Sequence, residues 1–148
     1  VNQPSPPPER QILALLTGRA LQLACEWSGK TTLDGSEYAS VFTVEPEAVH
    51  DYVLRNGVPR GAWSDRPGSH DGLYMVEDHG KYSVYYQERG IMFDESFFRS
   101  RREAEVALVN QLLAHCGAGL YVARRRSKNA VGRLKLTVSR LLGRGTAQ

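Results

Sequence analysis

Residues 72–98, GLYMVEDHGKYSVYYQERGIMFDESFF, constrain the fold more than any other stretch. Three runs rich in β-formers are separated by Asp78-His79-Gly80 and by Glu88-Arg89-Gly90. Turns this short join antiparallel neighbours, so the pattern predicts a meander with strands over Leu73–Glu77, Lys81–Gln87 and Ile91–Phe97. In the middle strand Tyr82, Val84 and Tyr86 share one face, expected to meet the core. Tyr85 and Gln87 share the other, expected to be the outer face.

One open sheet needs a second layer, and the flanks supply helical patterns. Ile12, Leu16, Ala20, Leu23 and Trp27 recur at helical spacing, predicting one helix from Pro8 to Trp27, with Pro8 at a first helical position. Tyr38–Val44 is rich in β-formers and predicts a strand. Glu45-Pro46-Glu47 opens a short helix that stops at Asn56-Gly57. Residues 58–71 form a loop with a brief strand expected around Trp63. Ser100-Arg101-Arg102-Glu103 has the spacing of a capping box and begins a helix that runs to about Cys116. The expected fold class is therefore α+β: an antiparallel β-meander packed against helices, with a basic amphipathic C-terminal helix. The expected organisation is a flexible Pro-rich arm over 1–7, one domain over 8–120, and a basic segment over 121–148.

Charge is unevenly placed. Residues 1–105 hold 11 Lys/Arg and all 16 Asp/Glu, whereas residues 106–148 hold eight Lys/Arg and no acid. Val131, Leu134, Val138 and Leu141 make a helical stripe among those bases, near the Arg124-Arg125-Arg126 cluster. This supports an alternative function, an adaptor for nucleic acid or an anionic surface. Nucleic-acid binders usually interleave aromatics with base, and only Tyr121 lies in this segment, so nucleic acid is the weaker partner class. No apolar run approaches the roughly 18 residues of a membrane span, and Val1–Glu9 lacks the apolar core of a signal peptide.

Catalytic patterns are weak. The chain has neither a phosphate-binding Gly-rich loop with its Lys nor a nucleophile elbow. His50-Asp51 are adjacent and do not share a helix face. His70-Asp71 lack a nucleophile, and Glu88 with Asp94 and Glu95 read as turn and edge charges. Cys25 and Cys116 read as buried free thiols, and no metal-ligand spacing occurs. A binding protein with neither enzyme activity nor cofactor, metal or small-molecule substrate is expected.

The stretch from Tyr52 to Leu113, above all Val84-Tyr85-Tyr86-Gln87-Glu88-Arg89-Gly90, resembles immunity proteins of bacterial polymorphic toxin systems. It is most similar to the actinobacterial immunity factors that accompany NAD-hydrolysing necrotizing toxins of the tuberculosis type. The resemblance implies a cytoplasmic antitoxin that forms a 1:1 complex with its toxin and covers the toxin's active site. The contact residues expected from the chain itself are Arg60, Trp63, Asp65, Arg66, His70 and Asp71 in the loop. To these are added Tyr85 and Gln87 on the outer face and Glu88 and Arg89 in the turn. Trp and Arg are common interface anchors.

Overall fold

The two glycine-containing turns do build a meander. A computed structural model describes residues 3–116 and Tyr121. Its sheet has four strands in chain order: β1 (Trp63–Ser64), β2 (Gly72–Asp78), β3 (Lys81–Glu88) and β4 (Ile91–Phe98). β2, β3 and β4 are antiparallel, in the register Leu73↔Tyr86 and Tyr82↔Phe98. The short β1 pairs parallel to β2, which makes the sheet mixed. Both hairpin turns place their two central residues in the left-handed region, His79-Gly80 at φ 50° and 74° and Arg89-Gly90 at φ 50° and 78°. That geometry matches the right-handed twist of the strands.

β4 is bulged. Val84 faces Ser96 and Tyr86 faces Phe93, so Asp94 and Glu95 together oppose Tyr85, with Asp94 at φ 52°. An extra residue of this kind bends an edge strand and interrupts its ladder.

Five helices complete the α+β fold among the described residues: α1 (Pro8–Leu16), α2 (Ala20–Ser28), α3 (Gly35–Val41), α4 (Pro46–Asn56) and α5 (Arg101–His115). The helix expected over Pro8–Trp27 is two helices. Gly18 at φ 73° breaks it, and the Arg19 N–H closes onto the Ala14 carbonyl at 2.9 Å. The break lets Leu15, Leu16, Leu23 and Ala24 all reach the core.

The strand expected over Tyr38–Val44 is mostly α3. Asp34 Oδ1 accepts from the N–H groups of Ser36 and Glu37 at 2.8 Å each, and Glu37 Oε2 accepts from the Asp34 N–H at 3.0 Å. This reciprocal cap supplies two orphan donors of the first turn and outweighs the β preference of Tyr38, Val41 and Phe42. Those three side chains are buried instead on the core side of the helix and its exit.

α5 is the central helix. It packs on β2, β3, β4, α1 and α4, burying Ala104, Leu108, Val109, Leu112 and Leu113. Ser100 Oγ caps it by accepting from the Glu103 N–H at 3.2 Å. Leu73, Met75 and Val84 carry the sheet's side of the same core, with Tyr82 and Tyr86 packed against it. The Tyr38 hydroxyl donates to the Cys116 carbonyl, and the Tyr121 hydroxyl donates to the Val44 carbonyl at 2.9 Å.

Within the stretch expected to form a flexible arm, Pro4 and Pro6 contact the body. Pro6 is buried, the Pro4 carbonyl accepts from Trp27 Nε1 at 2.7 Å, and the Pro6 carbonyl accepts from Gln11 Nε2 at 2.6 Å. Prolines have no N–H to satisfy, so docking Pro4–Pro7 brings a single backbone donor, on Ser5, and otherwise only carbonyls to pair. Cys25 and Cys116 are free, as expected, but half-buried rather than buried. Burial pushes the Cys116 thiol up to about 11. No helix among the described residues is long and apolar enough to cross a membrane. The basic amphipathic helix expected within 121–148 lies outside the described residues, apart from Tyr121.

Candidate protein-binding surface

A compact cluster surrounds β1, from Arg60 before it to Asp65 at the start of the loop that joins it to β2. The Arg60 guanidinium lies over the Trp63 ring, 5.2 Å from its centroid, and its Nη2 meets Asp65 Oδ2 at 2.8 Å. That hydrogen bond holds the Asp65 carboxyl below, and the Arg60 guanidinium above, their ordinary values. Trp63 itself is buried and donates from Nε1 to the Pro59 carbonyl at 2.9 Å. It therefore closes the core and is not the exposed anchor expected of it. Arg60, Asp65 and Arg66 remain on the surface.

The rest of this loop folds over the outer face of the sheet. Gln87 Nε2 donates to the Gly68 carbonyl at 2.8 Å and to the His70 carbonyl at 3.3 Å. The Tyr74 hydroxyl donates to the same His70 carbonyl at 2.6 Å. Tyr74 stacks on Tyr85 with centroids 5.0 Å apart and planes 7° from parallel. Tyr85 and Gln87 do point to the outer face, yet only 2% and 5% of each is exposed. Both hold the loop down and cannot serve as the exposed contacts expected of them. The Tyr85 hydroxyl titrates above its usual range because it is buried, with further contributions from Tyr74 and the Glu95 carboxylate.

Asp71 ties this loop to the turn between β3 and β4. Its Oδ1 accepts from the Arg89 N–H at 2.7 Å. The two expected contact regions, the loop and the Glu88-Arg89 turn, thus form one surface with His70, Asp71, Glu88 and Arg89 all exposed. The adjacent acid–base pairs are not coupled. No hydrogen bond or ion pair joins His70 to Asp71, and His50 Nε2 meets Asn110 Oδ1 at 3.1 Å instead of Asp51. Among the described residues no group of three or more His, Cys, Asp or Glu is placed to hold a metal ion.

Arg89 occupies the first central position of its turn, where a left-handed residue costs roughly 1 kcal/mol unless it is Gly or Asn. Substituting Arg89→Asn is therefore expected to raise the urea midpoint, by about 0.5–1 kcal/mol of stability. An unchanged or lower midpoint would show that the turn is not strained.

Four of the eight large apolar side chains exposed among the described residues lie on β4, expected from the sequence simply as the third strand of the meander. Among the described residues it is the last strand of the sheet, with no strand paired on its outer side. Ile91 is 60% exposed, Met92 49%, Phe93 45% and Phe97 71%. From the register, Ile91 and Phe93 lie on the helix-facing side and Met92 and Phe97 on the outer side. The strand thus carries apolar side chains on both faces beyond the layer that α5 covers. On the outer side Met92 and Phe97 join Val76, Tyr85 and Pro67 in lining an open cleft of about 460 Å³. A signal was present in IMFDESFF, because its apolar residues do not alternate as a half-buried strand requires. No family model, curated protein or solved structure matches the chain.

Proposed function

We propose that the chain is an immunity protein that binds a cognate protein toxin and covers the toxin's active site, with β4 and the Glu88-Arg89 turn as the centre of contact. One observation carries the reading: an edge strand of the described sheet presents Ile91, Met92, Phe93 and Phe97 to solvent. Soluble chains usually blunt such edges, and exposed apolar groups gathered on one are characteristic of a docking site. The resemblance of residues 52–113 supports the same reading, with an NAD-hydrolysing necrotizing enzyme as the toxin it implies. Such a toxin consumes a cytoplasmic metabolite, so its antitoxin acts in the cytoplasm, in a 1:1 complex.

The mechanism is steric. A stable block needs an interface of roughly 1,600 Å² in total, with a few desolvated anchors at its centre and a polar rim. Phe97 and Met92 are the anchors, and Arg66, His70, Glu88 and Arg89 are the rim. Co-expression with the toxin encoded beside it tests the proposal. Cells carrying both are expected to grow, while cells carrying the toxin alone die and lose NAD. Equal rates of death with and without this chain would reject it.

A further inference from the structure

We infer that the cleft on the outer face of the sheet receives a basic side chain from an extended segment of the partner protein. This rests on the reading above and names the chemistry that the partner must bring. The cleft is lined by Val76, Met92 and Phe97 above the buried Tyr85 ring, and on the same outer face Asp78 and Glu95 stand around it against Lys81. Aromatic faces combined with carboxylates suit a guanidinium or ammonium group, whose carbon stem lies along the apolar floor while its head meets the rim.

Charge also selects among occupants. Nucleic acid would bring phosphates against the carboxylates. A second copy pairing through β4 would bring another Asp94 and Glu95 to the same edge, and like charges close together across a strand pair destabilise it. A basic partner segment relieves this charge instead. Edge strands commonly accept an extended segment in this way, with side-chain clefts supplying specificity.

The test uses the full chain and two labelled heptapeptides, Val-Lys-Val-Arg-Val-Lys-Val and the same peptide with Glu at each basic position. Fluorescence anisotropy is expected to show the basic peptide binding at least about tenfold more tightly. Asp78→Lys with Glu95→Lys should reverse that preference, while Glu9→Lys with Glu26→Lys, an equal charge change away from the sheet, should leave it. No binding, no preference, or equal effects of the two double variants would overturn the inference. So would a gain of about tenfold for the basic peptide after Arg124, Arg125 and Arg126 are changed to Gln, because the chain's own basic segment would then be the occupant. A wild-type dimer in sedimentation that Glu95→Lys alters would overturn it in favour of a second copy. Co-expression separates the two levels. Protection by the Asp78/Glu95 variant as full as by the wild type would remove the cleft from the interface and leave the immunity function standing. Failure of the wild type to protect would remove that function.

Discussion

Replacing Gln11 with leucine is expected to cost about 3–5 kcal/mol of folding free energy. The amide of Gln11 is fully buried and joins three segments. Its Nε2 donates to the Pro6 carbonyl at 2.6 Å and to Thr43 Oγ1 at 3.0 Å. Its Oε1 accepts from the N–H groups of Thr43 at 2.8 Å and Val44 at 3.2 Å. Leucine has similar volume and greater apolarity, so the core gains little and loses no space. The cost comes from the partners left behind: the buried Val44 N–H and Pro6 carbonyl, each worth roughly 1–3 kcal/mol when unpaired, and a smaller loss at the partly buried Thr43 N–H. The residues after α3 and the proline segment before α1 would lose their common anchor together. Urea unfolding measures the effect. A loss under about 1 kcal/mol would mean that water replaces the amide, and that the segments are held by packing alone.

Changing Met92 and Phe97 together to serine is expected to act in the opposite pattern. Stability should stay within about 0.5 kcal/mol, because both side chains are exposed on an edge strand. Toxin affinity should fall by at least about 2 kcal/mol, or roughly 30-fold, as for loss of an interface anchor. The variant should also remain soluble at higher concentration, since the edge then carries fewer apolar groups. Comparing urea curves with binding isotherms for the same preparations separates the two quantities. Unchanged affinity would move the interface away from β4, to the Arg66–Asp71 side of the surface.

What the sequence made legible was local. The meander could be read because each turn lies within a few residues of the strands it joins, as with His79-Gly80 and Arg89-Gly90. α4 and α5 announce themselves through Pro46 and Ser100. α3 was missed although its cap was in view. Asp34 and Glu37 have capping-box spacing, but the β-formers from Tyr38 to Val44 dominated the composition. The site depended on non-local facts. Alternation places Tyr85 and Gln87 on the outer face, yet no periodicity reveals that a loop more than ten residues upstream covers them. Trp63 and Arg60 are near in sequence and do meet, but burial of the ring follows from how β1 joins the sheet. The exposure of β4 follows from its position last in the strand order, a property of the assembled sheet.

That strand order also has a kinetic consequence. Each strand pairs with its neighbour in the chain, so the sheet can zip up through small closed loops at little entropic cost. The tyrosine ties between helical ends are the reverse case, with Tyr38–Cys116 separated by 78 residues and Tyr121–Val44 by 77. In refolding, strand formation should therefore run ahead of the closure that these two phenols report. During that interval β2 and β3 present their core faces uncovered beside the bare β4 edge, so aggregation should compete hardest just after the sheet appears and subside once α5 seats against α1 and α4.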